Sequence, residues 1–107
     1  MGSKRQIQVA EIIAHAAAEF FARESNYRSL ITVTRADISP DLKNALIFLS
    51  VLPESAEQDV LNFAKRSRTD VHEFLKDSAR LKFLPNIDFE IDYGEKNRHR
   101  IDDLTRQ

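Results

Sequence analysis

Hydrophobic positions near the N-terminus recur at helical steps. Between residues 4 and 24, apolar side chains return every three or four positions, the spacing that places side chains on one face of an α-helix. The stripe consists of Ile7, Ala10, Ala14, Ala17 and Phe21, with Ile13 and Phe20 beside it. Ser3 stands before this segment, where a hydroxyl can cap a helix. The pattern predicts an amphipathic helix from about Lys4 to about Glu24.

The pattern then becomes that of β-strands. Residues 30–38 are rich in β-branched side chains and residues 45–52 are almost continuously apolar, which predicts two strands. Between them, Pro40 presets its own φ and Asp41 can accept a hydrogen bond from the backbone. These features predict a short turn, so the two strands are expected to pair antiparallel.

Two helical stretches and a third strand follow. Residues 60–64 and 71–79 have apolar side chains at helical spacing, whereas residues 65–69 have none. We therefore predict two helices that meet at a kink near Ser67, with Pro85 ending the second helix. The third strand is predicted where apolar residues alternate with acids, at Ile87, Phe89 and Ile91.

The predicted order is helix, strand, strand, helix, helix, strand. Helices that cover one face of a small three-stranded sheet form a two-layer α+β fold. The chain has 107 residues, of which 42% are hydrophobic, and this suits one domain with one core. We expect residues 1–93 to form the domain and residues 94–107 a flexible tail. Six aromatic residues fit core positions, namely Phe20, Phe21, Phe48, Phe63, Phe74 and Phe89.

Composition argues against several classes of function. The chain has no cysteine, which excludes disulfides and thiolate metal sites. Its only glycines are Gly2 and Gly94, so it has no glycine-rich phosphate loop, and it has no GxSxG or HExxH motif. No segment approaches the roughly 20 apolar residues of a membrane-spanning helix. We expect a soluble cytoplasmic protein that is not an enzyme and has no metal or cofactor.

Positive charge is concentrated in one stretch. The net charge is −1, but residues 65–82 hold six bases against three acids, and a local patch matters more to a phosphate partner than the total. The bases are Lys65, Arg66, Arg68, Lys76, Arg80 and Lys82. They can contact phosphates, or they can form a solvated helix face by pairing with Asp70, Glu73 and Asp77. Charge alone leaves both interpretations open.

Several segments together resemble one protein family. They are Leu30-Ile31-Thr32-Val33-Thr34, Ile38-Ser39-Pro40-Asp41-Leu42, Arg80-Leu81-Lys82-Phe83-Leu84-Pro85 and Arg100-Ile101-Asp102-Asp103-Leu104. In this order, and with Lys4-Arg5 before the first helix, they are similar to the ribosome-binding factor A family over nearly the whole chain. The resemblance implies a type II K-homology-like fold. The family usually marks its helix kink with alanine, any residue, then glycine, whereas this chain has Ser67-Arg68-Thr69.

The resemblance also implies a function. Members bind the free small (30S) ribosomal subunit and 16S rRNA during late maturation, and they support processing of the rRNA 5′ end and growth in the cold. By matching position, Arg5, Arg80 and Lys82 become candidate RNA-binding residues. Charge placement adds four more candidates, which are Lys65, Arg66, Arg68 and Lys76. The implied protein is a monomer without a small-molecule substrate.

Two other functions compete with this hypothesis. The same fold could serve as a non-catalytic protein-interaction module that presents a sheet edge or the acidic residues of segment 54–64. A small nuclease is the second alternative, and it would depend on a metal held by Asp70 or Glu73. Binding that weakens as salt rises would distinguish an RNA partner from the interaction module.

Overall fold

The chain folds as the predicted α+β arrangement of one helix, two strands, two helices and a third strand. A computed structural model describes residues 3–24, 29–79, 81 and 83–94. The elements are α1 (Lys4–Glu24), β1 (Leu30–Ile38), β2 (Asn44–Leu52), a 3-10 helix (Glu54–Ala56), α2 (Glu57–Arg66), α3 (Arg68–Ser78) and β3 (Asn86–Ile91). Apart from Gly94, the predicted tail lies outside the described residues.

Reciprocal hydrogen bonds between Ser3 and Gln6 close the start of α1. The backbone amide of Gln6 donates to the Ser3 hydroxyl over 3.1 Å, and the backbone amide of Ser3 donates to Gln6 Oε1 over 2.8 Å. This capping box satisfies backbone amides that have no partner within the helix. The predicted apolar stripe was wrong at its start, because Ile7 is 46% exposed. The buried side consists of Val9, Ile13, Ala16, Ala17 and Phe21.

The three strands form one sheet in the order β1-β2-β3. β1 and β2 pair antiparallel, as predicted, with a bulge between Val33 and Arg35. β2 and β3 are parallel, with Ala45 opposite Ile87. A parallel pair needs a long crossover connection, and α2 and α3 supply it. The first residues of β2 and β3 therefore lie side by side at one end of the sheet.

The helices cover one face of this sheet and enclose an aromatic core. Phe21 of α1 and Phe89 of β3 are fully buried, and their rings meet edge to face at 5.5 Å between centroids. Phe20 extends this contact to Phe74 of α3 at 5.8 Å. Edge-to-face aromatic pairs add specific geometry to apolar burial, so these rings fix α1 and α3 against the sheet.

Phe48 corrects the predicted core. It lies on the sheet face opposite the helices, because the inward positions of β2 are its neighbours Ile47 and Leu49, which are fully buried. The Arg35 guanidinium lies 3.8 Å from the centre of the Phe48 ring, a cation–π contact that covers the ring. Almost continuous apolar character therefore did not mean burial on the core side.

The predicted kink is present at Ser67, without the family's glycine. Ser67 is buried, and its amide donates to the carbonyls of Phe63 and Ala64, each at 3.0 Å. Its backbone has φ −92° and ψ 7°, and a residue with negative φ has no need of glycine's freedom. The Ser67-Arg68-Thr69 sequence thus supports a helix–kink–helix.

α3 ends earlier than predicted. Its last residue is Ser78, whereas the sequence placed the end at Pro85. The apolar residues Leu81 and Leu84 pack against the core from the connection that leads to β3. The residue before a proline disfavours helical backbone, and the described residues of this connection, 79, 81 and 83–85, are not helical. Arg80 and Lys82 consequently follow the helix, and both lie outside the described residues.

Candidate nucleic-acid interface

Two open grooves meet where β2 and β3 begin. The backbone amide of Asn86, the first residue of β3, donates a hydrogen bond to the Lys43 carbonyl over 2.8 Å. On one side of Asn86 is the kink groove, which is lined by Ile38, Leu46, Arg68 and Asp88 among others. On the other side is the N-terminal groove, which is lined by Arg5, Val9, Leu42, Lys43, Leu81 and Phe83 among others. Asn86 belongs to both grooves.

One carboxylate organises two basic side chains beside the kink. Asp88 Oδ1 accepts a hydrogen bond from Lys65 Nζ at 3.0 Å and lies 3.8 Å from Arg68 Nη1. Arg68 Nε also donates to the Lys65 carbonyl at 3.2 Å. Two predicted RNA-binding bases from opposite sides of the kink are therefore held together by one acid of β3.

The electrostatic environment keeps Asp88 ionised. Partial burial acts to raise its pKa, but the hydrogen bonds from Lys65 and from the Phe89 amide and the charges of Lys65 and Arg68 outweigh this effect. The pKa of Asp88 therefore lies below its ordinary value of 3.8. Because two bases share one acid, the cluster keeps a positive charge, and its side chains remain 37–53% exposed.

Arg66 and Lys76 are placed differently from Lys65 and Arg68. Arg66 ends α2 and Lys76 lies in the last turn of α3, and both are exposed. Within the described residues, neither has an ion-pair partner within 4.0 Å, so Lys76 does not form the pairing with Glu73 that the solvated-face interpretation allowed. Neither residue lines either of the two grooves.

Arg5 faces a tightly bonded turn across the N-terminal groove. In that turn Asp41 Oδ1 accepts the Ser39 hydroxyl at 2.6 Å and the Lys43 amide at 3.0 Å. These hydrogen bonds, the Ser39 bond first, lower the pKa of Asp41. Leu42 has φ +62°, the left-handed conformation that a tight turn often requires. In the described part of the chain, no acid forms an ion pair with Arg5 or Lys43.

The N-terminal groove also brings Arg5 to the connection between α3 and β3. Leu81, Phe83 and Leu84 line this groove together with Arg5. Arg80 and Lys82 are their chain neighbours, although their own side chains lie outside the described residues. Arg5, the candidate from the family resemblance that the structure describes, therefore lies beside this connection.

Four residues of this surface were missed by sequence reasoning. Lys43 is an isolated base after the predicted turn, and Asn86 is an isolated polar residue after Pro85. In the sequence, Asp88 is one of several acids in an alternating strand, and Phe83 is part of the family motif. Phe83 is 79% exposed. The alternation of β3 was the one signal available, since it placed Asp88 on the sheet face away from the core.

Two negative findings apply to residues 3–24, 29–79, 81 and 83–94. No group of three or more side chains from His, Cys, Asp and Glu is placed to hold a metal ion there. Asp70 and Glu73, which the nuclease alternative requires, are both exposed on α3. In the same part of the chain, every helix is too short or too polar to cross a membrane.

Comparison with known proteins decides the family. The family model for ribosome-binding factor A matches residues 5–105. The chain belongs to the ribosome-binding factor A family. A ribosome-binding factor A from Coxiella burnetii (strain CbuG_Q212) is 32% identical over 107 residues, which cover 98% of this chain and 90% of that protein.

Solved structures of ribosome-binding factor A share the fold. The crystal structure of the factor from Thermus thermophilus aligns with a TM-score of 0.70 and 21% identity, over 80% of this chain and 94% of that one. A homology model of the T. thermophilus factor, fitted into a cryo-EM map of a 30S–RbfA complex, aligns with a TM-score of 0.65 and 22% identity. The alignment covers 74% of this chain and 86% of that one.

Proposed function

We propose that this protein is a non-catalytic ribosome assembly factor that binds the free 30S subunit and 16S rRNA during late maturation. The observation that carries the proposal is the family match over residues 5–105, which includes both grooves and the connection between α3 and β3. The T. thermophilus factor described in a 30S complex has the same fold, which supports the small subunit as the partner.

The proposed contact surface is the end of the sheet around Asn86. The positive charge of this surface comes from Arg5 and Lys43 on one side of Asn86 and from Lys65 and Arg68 on the other. The acids around these four basic residues are fewer in number. Bases placed along a groove contact phosphates without reading sequence. Arg80 and Lys82 extend this surface by their position in the chain, and Arg66 and Lys76 are proposed as peripheral contacts.

The finer roles are proposed from the family resemblance. The protein acts as a monomer in the cytoplasm and supports processing of the 16S rRNA 5′ end and growth in the cold. Deletion of its gene would then cause accumulation of 16S precursor with an unprocessed 5′ end and slow growth at low temperature. Normal 5′ ends in the deletion strain would reject the processing role while leaving subunit binding intact.

The decisive experiment is co-sedimentation with free 30S subunits and with 70S ribosomes over a salt series. We expect retention on free subunits, release as salt rises, and absence from 70S ribosomes. Each phosphate contact should add about 0.7–0.9 to the slope of log K against log salt. Binding that is insensitive to salt would favour the protein-interaction module instead, and absence from subunits at low salt would reject the proposal.

A charge-reversal variant tests the surface. We expect Arg80→Glu combined with Lys82→Glu to weaken subunit binding while circular dichroism shows an unchanged fold. A second variant, Glu54→Lys combined with Asp59→Lys, reverses two exposed charges in the opposite sense on the 3-10 helix and α2, at residues that line neither groove. Unchanged binding by the folded Arg80/Lys82 variant would remove these two residues from the contact surface.

A further inference from the structure

Phe83 presents an aromatic ring to solvent at the rim of the N-terminal groove. It is 79% exposed, more than the other exposed large hydrophobic residues of the described chain. Single exposed apolar side chains are common on protein surfaces, so exposure by itself assigns no role. The position of Phe83 adds a second observation, because the groove beside it has a volume of about 430 Å³ and an apolar floor that includes Val9, Leu42 and Leu84.

The rim of this groove carries two basic side chains and one asparagine. Arg5 comes from the first turn of α1, Lys43 from the turn before β2, and Asn86 from the start of β3. Among the residues that line this groove, the acid is Asp41, and its Oδ1 already accepts hydrogen bonds from the Ser39 hydroxyl and from the Lys43 backbone amide. The charge around the apolar floor is therefore positive, and it favours an anionic partner that has a flat apolar part.

An unpaired nucleobase with its phosphates has this chemistry. Single-stranded RNA is recognised by aromatic side chains that stack on splayed bases while nearby basic residues contact the backbone. Asn86 also lines the kink groove together with Arg68. Lys65 lies beside that groove, where it shares Asp88 with Arg68, and both basic side chains remain partly exposed. A strand whose nucleobase lies at Phe83 can thus continue toward Lys65 and Arg68, the two basic residues that share Asp88.

We propose that Phe83 stacks on an unpaired base of single-stranded RNA and that Arg5 and Lys43 contact the phosphates on either side of it. This inference rests on the proposed function, since it names the element of rRNA that the surface takes. It adds a base-stacking site to a surface otherwise described by charge. The stacking site tolerates any base, because every base has a π-face.

The first test separates the ring from its volume. Free 30S subunits are titrated with wild type, Phe83→Leu and Phe83→Tyr. We expect Phe83→Leu to weaken binding by roughly 5- to 100-fold, the range for loss of one aromatic–base stack, and Phe83→Tyr to bind within about 2-fold of wild type. If wild type binds and Phe83→Leu binds equally well, the stacking site is rejected and the proposed function stands. Absence of wild-type binding would instead reject the proposed function.

The second test needs no ribosome. The chain has no tryptophan, so Phe83→Trp introduces a single tryptophan at the groove. Leu30→Trp places one at an exposed position of β1, outside both grooves. Both are titrated with a ten-nucleotide oligouridylate and with inorganic polyphosphate of equal charge. For Phe83→Trp we expect the oligonucleotide, and not polyphosphate, to quench the tryptophan fluorescence in a saturable way. Equal quenching by polyphosphate, equal quenching of Leu30→Trp, or no quenching would overturn base stacking at this position.

Discussion

Asp88 connects the two helices at the kink to the edge strand β3. Its carboxylate holds Lys65 from α2 and Arg68 from α3, so one side chain ties three elements together. All three groups are more than a third exposed, and solvent screening reduces what such contacts contribute. The cluster therefore contributes modestly to stability, while it fixes the direction in which two bases point.

The lowered pKa of Asp88 predicts a pH-dependent contribution to stability. Because the pKa is lower in the folded than in the unfolded chain, the contribution is complete above the ordinary value of 3.8 and is lost as pH falls through the folded value. We expect Asp88→Asn to lower the free energy of unfolding by less than about 1 kcal/mol at neutral pH. In urea denaturation this difference should shrink at pH values below 3.8.

Glu90 provides the matched control for this experiment. It is the next acid on the same face of β3, it is exposed, and no ion pair within 4.0 Å involves it in the described part of the chain. Glu90→Gln should therefore leave stability nearly unchanged at both pH values. A constant difference between wild type and Asp88→Asn across the acid range would contradict the assigned ion pairs.

Truncation of two phenylalanines close in sequence should change the free energy of unfolding by very different amounts. Phe89 is fully buried against Phe21, whereas Phe83 is 79% exposed. We expect Phe89→Ala to lower the free energy of unfolding by about 3–5 kcal/mol, since it leaves a cavity, and Phe83→Ala to change it by less than about 0.5 kcal/mol. Urea denaturation at neutral pH measures both. A large loss for Phe83→Ala would show that the ring is structural and would weaken its assignment to RNA.

At the level of elements, the kink depends on the backbone of Ser67 more than on its side chain. Its amide bonds to two carbonyls of α2, and no capping hydrogen bond involves its hydroxyl. We expect Ser67→Ala to change the free energy of unfolding by less than about 0.5 kcal/mol. Ser67→Pro should lower it by about 3 kcal/mol or more, because proline removes the amide. A loss of stability for Ser67→Ala as large as that for Ser67→Pro would show that the hydroxyl holds the kink.

The elements could be predicted because their hydrophobic periods are clear, and the errors have local causes. The face of α1 was rotated because alanines surround its larger apolar residues, so several stripes fit the same helix. Phe48 was placed in the core because a continuous apolar run conceals which side of a strand is buried. The end of α3 was placed too late because Leu81 and Leu84 fit a helical period, although they pack against the core from a connection that is not helical where the structure describes it.

At the level of the whole molecule, the candidate surface was only half predictable. The bases of segment 65–82 are visible as a charge cluster in the sequence. Lys43 and Asn86 are far apart in the chain and become neighbours through the parallel pairing of β2 with β3. No periodicity shows that register, so the grooves on either side of Asn86 required the fold.

The two grooves separate the basic residues proposed as main RNA contacts from those proposed as peripheral contacts. We expect Arg5→Gln combined with Lys43→Gln to lower the slope of log K against log salt by about 1.4–1.8 for free 30S subunits, from two lost phosphate contacts. Arg66→Gln combined with Lys76→Gln removes the same charge from two exposed residues that line neither groove. A smaller change in slope for this second pair would place the contact at the grooves, because a long-range effect of net charge would act equally on both pairs. The reverse order would move the contact surface to the exposed sides of α2 and α3.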